Sequence, residues 1–140
     1  MPTPRAKWPN EIGREYSLLR DYAEKLESLL TMVYDYALLP PRNVHLLRGM
    51  LPFVERQARR IKATAVQASR HVTRTWPLWT RTALADTIAL SMDVIEASEV
   101  AQRSLARHEW VPMEVALERV LNHGTKIVEL LSEGPGPNGE

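Results

Sequence analysis

The residues Val44, Leu47, Leu51, Val54, Ala58, Ile61, Ala65, Ala68 and Val72 recur at steps of three and four without a break. Steps of that length return a side chain to the same face of an α-helix, so this segment is predicted to form one long helix with a single dry seam. A similar run, Ile12, Tyr16, Leu19, Ala23, Leu26, Leu30, Val33 and Ala37, precedes it. Two such seams separated only by a few residues around Pro40-Pro41 invite side-by-side packing.

The helix boundaries follow from local chemistry. Asn10 can cap a first helix over 11–38, with Glu11 and Glu15 early, where the helix dipole favours acids. Leu18, Tyr22, Leu29 and Tyr36 form a second apolar stripe on that helix, so it is expected to touch more than one neighbour. Asn43 can cap the second helix. Pro52, just after Gly49, removes a backbone donor and crowds the preceding turn, which predicts a kink near residues 48–52.

Thr75-Trp76-Pro77 reads as a turn with Thr75 as cap, opening a third helix that runs to about Arg107. Its apolar residues are Ala83, Leu90, Val94, Ala97, Ala101 and Leu105, flanked by Leu84, Ile88, Met92 and Ile95, and this broad arc predicts the most buried helix. Pro112 opens a shorter fourth helix carrying Met113, Leu117, Val120, Gly124, Ile127 and Leu131, and Gly134 stops it. Short connections make consecutive helices antiparallel, so the expected fold is all-α, an up-down-up-down four-helix bundle with the second helix kinked near Pro52. Residues 1–10 are expected to be an N-terminal extension, 11–133 the bundle and 134–140 a disordered tail.

A chain of 140 residues is long enough for one core and too short for two ordinary domains. It contains no cysteine, which excludes disulfides, thiolate metal sites and a cysteine nucleophile and fits a reducing compartment, so a cytoplasmic location is expected. No apolar run is long enough to span a membrane. No Ser-His-Asp order, glycine-rich phosphate loop or cofactor motif is legible, and the sequence supplies no catalytic residue.

The formal charge of +1 conceals an asymmetry. Residues 42–81 hold nine basic residues against Glu55, a block of +8, leaving −7 over the rest. Within this block Arg56, Arg59, Arg60, Arg70 and Arg74 fall on one arc of the second helix, opposite its seam, with Arg48 and Lys62 beside them. Such a row can neutralise phosphates, which makes nucleic acid the alternative partner. Against it, the third helix is acidic and no aromatic residue is interleaved in the row. A solvated or protein-contacting face is the favoured reading.

Carboxylates spaced three apart, Glu24 with Glu27 and Asp93 with Glu96 and Glu99, resemble the acid pairs with which some bundles hold Mg²⁺ for nucleotide hydrolysis. They point away from the apolar seams, so solvation is the better account. The Glu-x-x-His pairs of a di-iron bundle are absent, and His45, His71, His108 and His123 are scattered, so no metal or cofactor is expected. Asp86, at the edge of the third helix's apolar arc, could pair with an arginine from a neighbouring helix, a structural rather than a catalytic role. Trp76 and Trp79 flank Pro77 and Trp110 lies at another end, positions suited to plugging the bundle or to contacting a partner.

The stretch Leu46-Leu47-Arg48-Gly49-Met50-Leu51 resembles a Leu-Arg-Gly-His element in an uncharacterised family of small helical actinobacterial proteins associated with natural-product biosynthesis clusters. Here Met50 stands in place of the histidine and Pro52 falls early. The resemblance covers about ten residues, implies an accessory helical protein and carries over no site residue.

The sequence therefore favours a non-enzymatic interaction protein that self-associates or binds a protein partner through its apolar and aromatic faces. Trp76, Trp79, Leu18, Tyr22, Leu29 and Tyr36 are the candidate contacts. Nucleic-acid binding through the arginine row comes second and metal-dependent nucleotide hydrolysis third.

Overall fold

The computed structural model describes residues 8–38, 43–73 and 76–133. The chain forms four long helices, α1 (Gly13–Leu38), α2 (Val44–Ser69), α3 (Leu78–Ala106) and α4 (Trp110–Glu133). Each packs on its neighbours in sequence and α4 closes on α1, giving the up-down-up-down bundle. Pro40, Pro41, Arg74, Thr75 and the tail 134–140 lie outside the described residues.

The seams read from periodicity are the core. Every member of the α1 run is buried except Tyr16, which is half-buried, and in the second run only Val44 and Val72, the latter beyond the end of α2, are partly open. Met113, Leu117, Val120, Ile127 and Leu131 of α4 are fully buried. In α3 the interior is made largely of small residues, with Thr80, Thr87, Ser91, Ser98 and Ser104 buried beside Ala83, Val94, Ala97 and Ala101. Thr87 and Ser91 donate to the Ala83 and Thr87 carbonyls one turn back, both at 2.7 Å, which satisfies two of these hydroxyls inside the helix itself.

Several ends differ from expectation. A 3₁₀ turn, Asn10–Ile12, precedes α1, and the Ile12 N–H donates to the Pro9 carbonyl at 3.2 Å, so the α-helix proper starts at Gly13 rather than at 11. Asn43 does cap α2, its Oδ1 accepting from the Leu46 N–H at 3.0 Å. That helix continues without a break through Pro52, whose ring is exposed. Pro77 is the N-cap of α3, and among the described residues no side chain caps it. The fourth helix begins two residues before Pro112 and, at 24 residues, is nearly as long as α1 at 26.

At the end where α1 starts, Trp8 stacks on Tyr16 with ring centroids 5.0 Å apart and meets Trp79 edge-on at 5.5 Å. The Tyr16 hydroxyl donates to the Leu131 carbonyl of α4 at 3.4 Å. Trp76 is only 9% exposed. These aromatic rings close the end of the bundle where the termini of all four helices gather.

Candidate functional site: an apolar and cationic face on α1 and α2

An α-helix that buries positions 19, 23, 26, 30, 33 and 37 presents 18, 22, 25, 29, 32 and 36 about 100° to one side. On α1 these are Leu18, Tyr22, Lys25, Leu29, Met32 and Tyr36. The second helix repeats the arrangement: one residue ahead of its seam lie Leu46, Met50, Phe53, Gln57 and Arg60. Because the helices are antiparallel, the two stripes flank the same inter-helix groove. The Tyr36 carbonyl accepts from the Asn43 N–H at 2.8 Å, and the Tyr22 carbonyl accepts from Gln57 Nε2 at 3.1 Å, which fixes the register.

The groove has a volume of about 440 Å³ and is lined by Lys25, Ser28, Leu29, Phe53, Arg56, Gln57 and Arg60. Phe53 is 52% exposed, Met32 42% and Leu46 41%, while Tyr22, Leu29, Tyr36 and Met50 are half-buried against the core. An exposed phenylalanine in a continuous apolar stripe marks a surface that gains by being covered. The cations are placed by their neighbours: the Arg56 guanidinium lies 5.5 Å from the Phe53 ring centroid, and Arg60 Nη1 reaches Gln57 Oε1 at 3.5 Å.

The arginine row is thereby divided. Arg56 and Arg60 rim the α1–α2 groove, whereas Arg59 turns to the other side of α2, where it donates to Glu99 Oε1 of α3 at 2.7 Å and approaches Glu55 Oε2 at 3.4 Å. Gln102 Nε2 also donates to Glu55, at 3.2 Å, so Arg59 belongs to a polar strap between α2 and α3. Arg70 sits exposed at the C-cap of α2, and Arg74 lies outside the described residues. The expectation that no aromatic accompanies the row is corrected by Phe53 beneath Arg56.

Of the expected partner contacts, Leu18, Tyr22, Leu29 and Tyr36 occupy the α1–α2 face, whereas Trp76 is buried and Trp79 half-buried in the aromatic end. Met32, Leu46, Met50 and Phe53 join this face although they are not among the contacts expected from sequence. The signal was present, since positions 46, 50 and 53 repeat the spacing of the α2 seam one residue earlier.

A second groove of about 530 Å³ lies between α1 and α4, floored by Leu30, Leu121 and Val128 beside Tyr34 and edged by Glu27 and Glu129. The grooves on the two sides of α1 thus carry opposite charge.

The spaced carboxylates diverge. Glu24 and Glu27 are exposed on α1, Glu99 is taken by Arg59, and Asp93 Oδ2 lies 3.4 Å from His123 Nδ1 without hydrogen-bond alignment. His71 Nε2 is 3.8 Å from the buried Glu15. No group of three or more potential ligands converges among the described residues. Asp86 is exposed, and among the described residues the ion pair it could make with an arginine is not formed. Among the described residues no helix is long and apolar enough to cross a membrane. No family model, curated protein or solved structure matches the chain.

Proposed function

We propose that this chain is a non-enzymatic interaction module that docks a protein surface on its α1–α2 face. The observation that carries this reading is the pair of adjoining stripes, in which exposed Phe53, Met32 and Leu46 continue the half-buried Tyr22, Leu29, Tyr36 and Met50 along one face, with Leu29 and Phe53 lining its groove. Covering such a strip releases water from apolar surface, and the aromatic and arginine side chains within it are the types enriched where binding energy concentrates. The face needs no reactive group to do this.

The test is association by the whole chain, followed by light scattering over a range of concentrations and by quantitative capture of retained proteins. The wild type is expected to self-associate or to retain a specific protein, and Met32→Asp with Phe53→Asp to lose that association while keeping the helical content of the parent. A wild type that stays monomeric and retains nothing, or an association untouched by both substitutions, overturns the reading.

A nucleic-acid reading has one observation in its favour, the exposed Phe53 ring with the Arg56 guanidinium 5.5 Å from its centroid, since base stacking on an aromatic beside cations is a common mode of single-strand binding. The engagement of Arg59 by Glu99 weighs against it, because a phosphate track draws on successive cations. Charge reversal of Arg56 and Arg60 decides: unchanged affinity for DNA and RNA at low salt removes this reading.

A further inference from the structure

The geometry points to an acidic amphipathic α-helix, supplied by a partner protein, as the occupant of the α1–α2 groove. This inference rests on the interaction reading above and adds the chemistry of the partner. Its first support is shape. Leu18 and Tyr36 end a stripe about 27 Å long at the helical rise, equal to about five turns of a docking helix. Side chains of such a helix at three-four spacing fit between the ridges of two antiparallel neighbours, the packing that already joins α1 to α2.

Charge then selects among helices. Lys25, Arg56 and Arg60 line the groove beside Phe53 with no carboxylate among its lining residues. The acids Asp21 and Glu24 lie in the adjoining pocket of α1 that shares Lys25 and Ser28, so the cationic stretch is the part of the face around Phe53. On the opposite side of α1, Glu27 and Glu129 edge the other groove, which carries no cation in its lining. A helix with glutamates flanking its apolar strip is therefore drawn to the α1–α2 side and repelled from the α1–α4 side. Arg56, its Cζ 5.5 Å from the Phe53 ring centroid, offers an exposed planar guanidinium, which suits a carboxylate in a way that lysine does not.

Three cations within about two turns also limit the alternative. A nucleic acid tracks cations along its length, and the nearest further arginine on α2, Arg59, is held on α3 by Glu99.

The probe is a stapled helical peptide of about five turns with leucines at three-four spacing and glutamates on both flanks, compared with the same peptide carrying lysines. Binding to the full-length chain is read by fluorescence anisotropy at low salt. The glutamate peptide is expected to bind about tenfold or more tightly than the lysine peptide. In the variant Arg56→Glu with Arg60→Glu the preference should invert, the lysine peptide now binding better, and Phe53→Asp should weaken both peptides. These positions are exposed, and unchanged thermal unfolding of each variant certifies the fold.

Equal binding of both peptides, both lost on Phe53→Asp, overturns the charge selection and leaves the interaction face standing. Binding insensitive to Phe53→Asp overturns both. Failure of the glutamate peptide to bind, or its displacement by an oligothymidylate that binds more tightly, overturns the acidic-helix inference.

Discussion

Gly124 of α4 faces Leu30 of α1 so closely that a β-carbon added at Gly124 would sit 2.7 Å from Leu30 Cδ1 and 3.0 Å from Cδ2. The glycine is thus a contact surface for α1, and its lack of a side chain sets how near the two helices come. Leu30 also borders the open α1–α4 groove, so the tip of its side chain can swing aside for one methyl group. Gly124→Ala is therefore expected to stay within about 1 kcal/mol of wild type, the gain in helix propensity offsetting the displaced leucine. Gly124→Leu should cost about 1–3 kcal/mol by overpacking. Combined with Leu30→Ala it should cost less than the sum of the single changes by about 1 kcal/mol, because the larger side chain takes the vacated space. Urea unfolding of the four proteins measures that coupling.

His108 closes α3 in a left-handed conformation, with φ of 57°. The Glu109 N–H donates to the Ser104 carbonyl at 2.8 Å and the His108 N–H to the Leu105 carbonyl at 3.2 Å, the paired bonds of a Schellman cap. Glycine suits that position better than any residue with a β-carbon. His108→Gly should stabilise the chain by roughly 0.5–1 kcal/mol, and His108→Val should destabilise it by a similar amount or more. The midpoint of thermal unfolding reports both signs.

Much of this architecture was legible because three-four spacing is a property of the chain alone. The seams beginning at Ile12, Val44 and Met113 needed no knowledge of their neighbours to be placed on one side of a helix. What escaped depends on where a flanking side chain meets the next helix. Arg59 and Arg60 are adjacent in sequence, yet one bonds Glu99 across α3 and the other rims the groove toward α1, because successive residues diverge by about 100°. A row drawn on one helix could not show that its two halves serve different neighbours. The 3₁₀ entry to α1 was hidden for a similar reason, since Trp8 is fixed there by Tyr16 and Trp79, the latter more than two helices away.

The Arg59 strap should contribute little to stability and nothing to docking. Its guanidinium side chain is 54% exposed and the Glu99 side chain 39%, so water screens the pair. A double-mutant cycle of Arg59→Ala and Glu99→Ala is expected to give a coupling below about 1 kcal/mol that shrinks at high salt. Arg59→Ala should leave association through the α1–α2 face unchanged. A loss of association comparable to that of Phe53→Asp would mean that α2 uses its α3 side instead.

Two serines inside α3 separate the energetics of a satisfied hydroxyl from those of an orphan. Ser91 and Ser98 are both fully buried, and they lie two turns apart in the same helix. Ser91 Oγ donates to the Thr87 carbonyl at 2.7 Å, whereas Ser98 Oγ has no hydrogen-bond partner among the described residues. Burial strips water from both, and only Ser91 recovers a bond in exchange. Ser98→Ala removes an unpaired polar atom and substitutes the better helix former, so it should stabilise the chain by about 1 kcal/mol. Ser91→Ala gives up its hydrogen bond along with the hydroxyl, and the propensity gain roughly cancels the loss, leaving a change within about 0.5 kcal/mol. The contrast is measured by urea unfolding of each variant against wild type. If Ser98→Ala destabilises, its hydroxyl is satisfied in solution, and the small-residue packing of α3 against its neighbours has to accommodate a water or an alternative rotamer at that position.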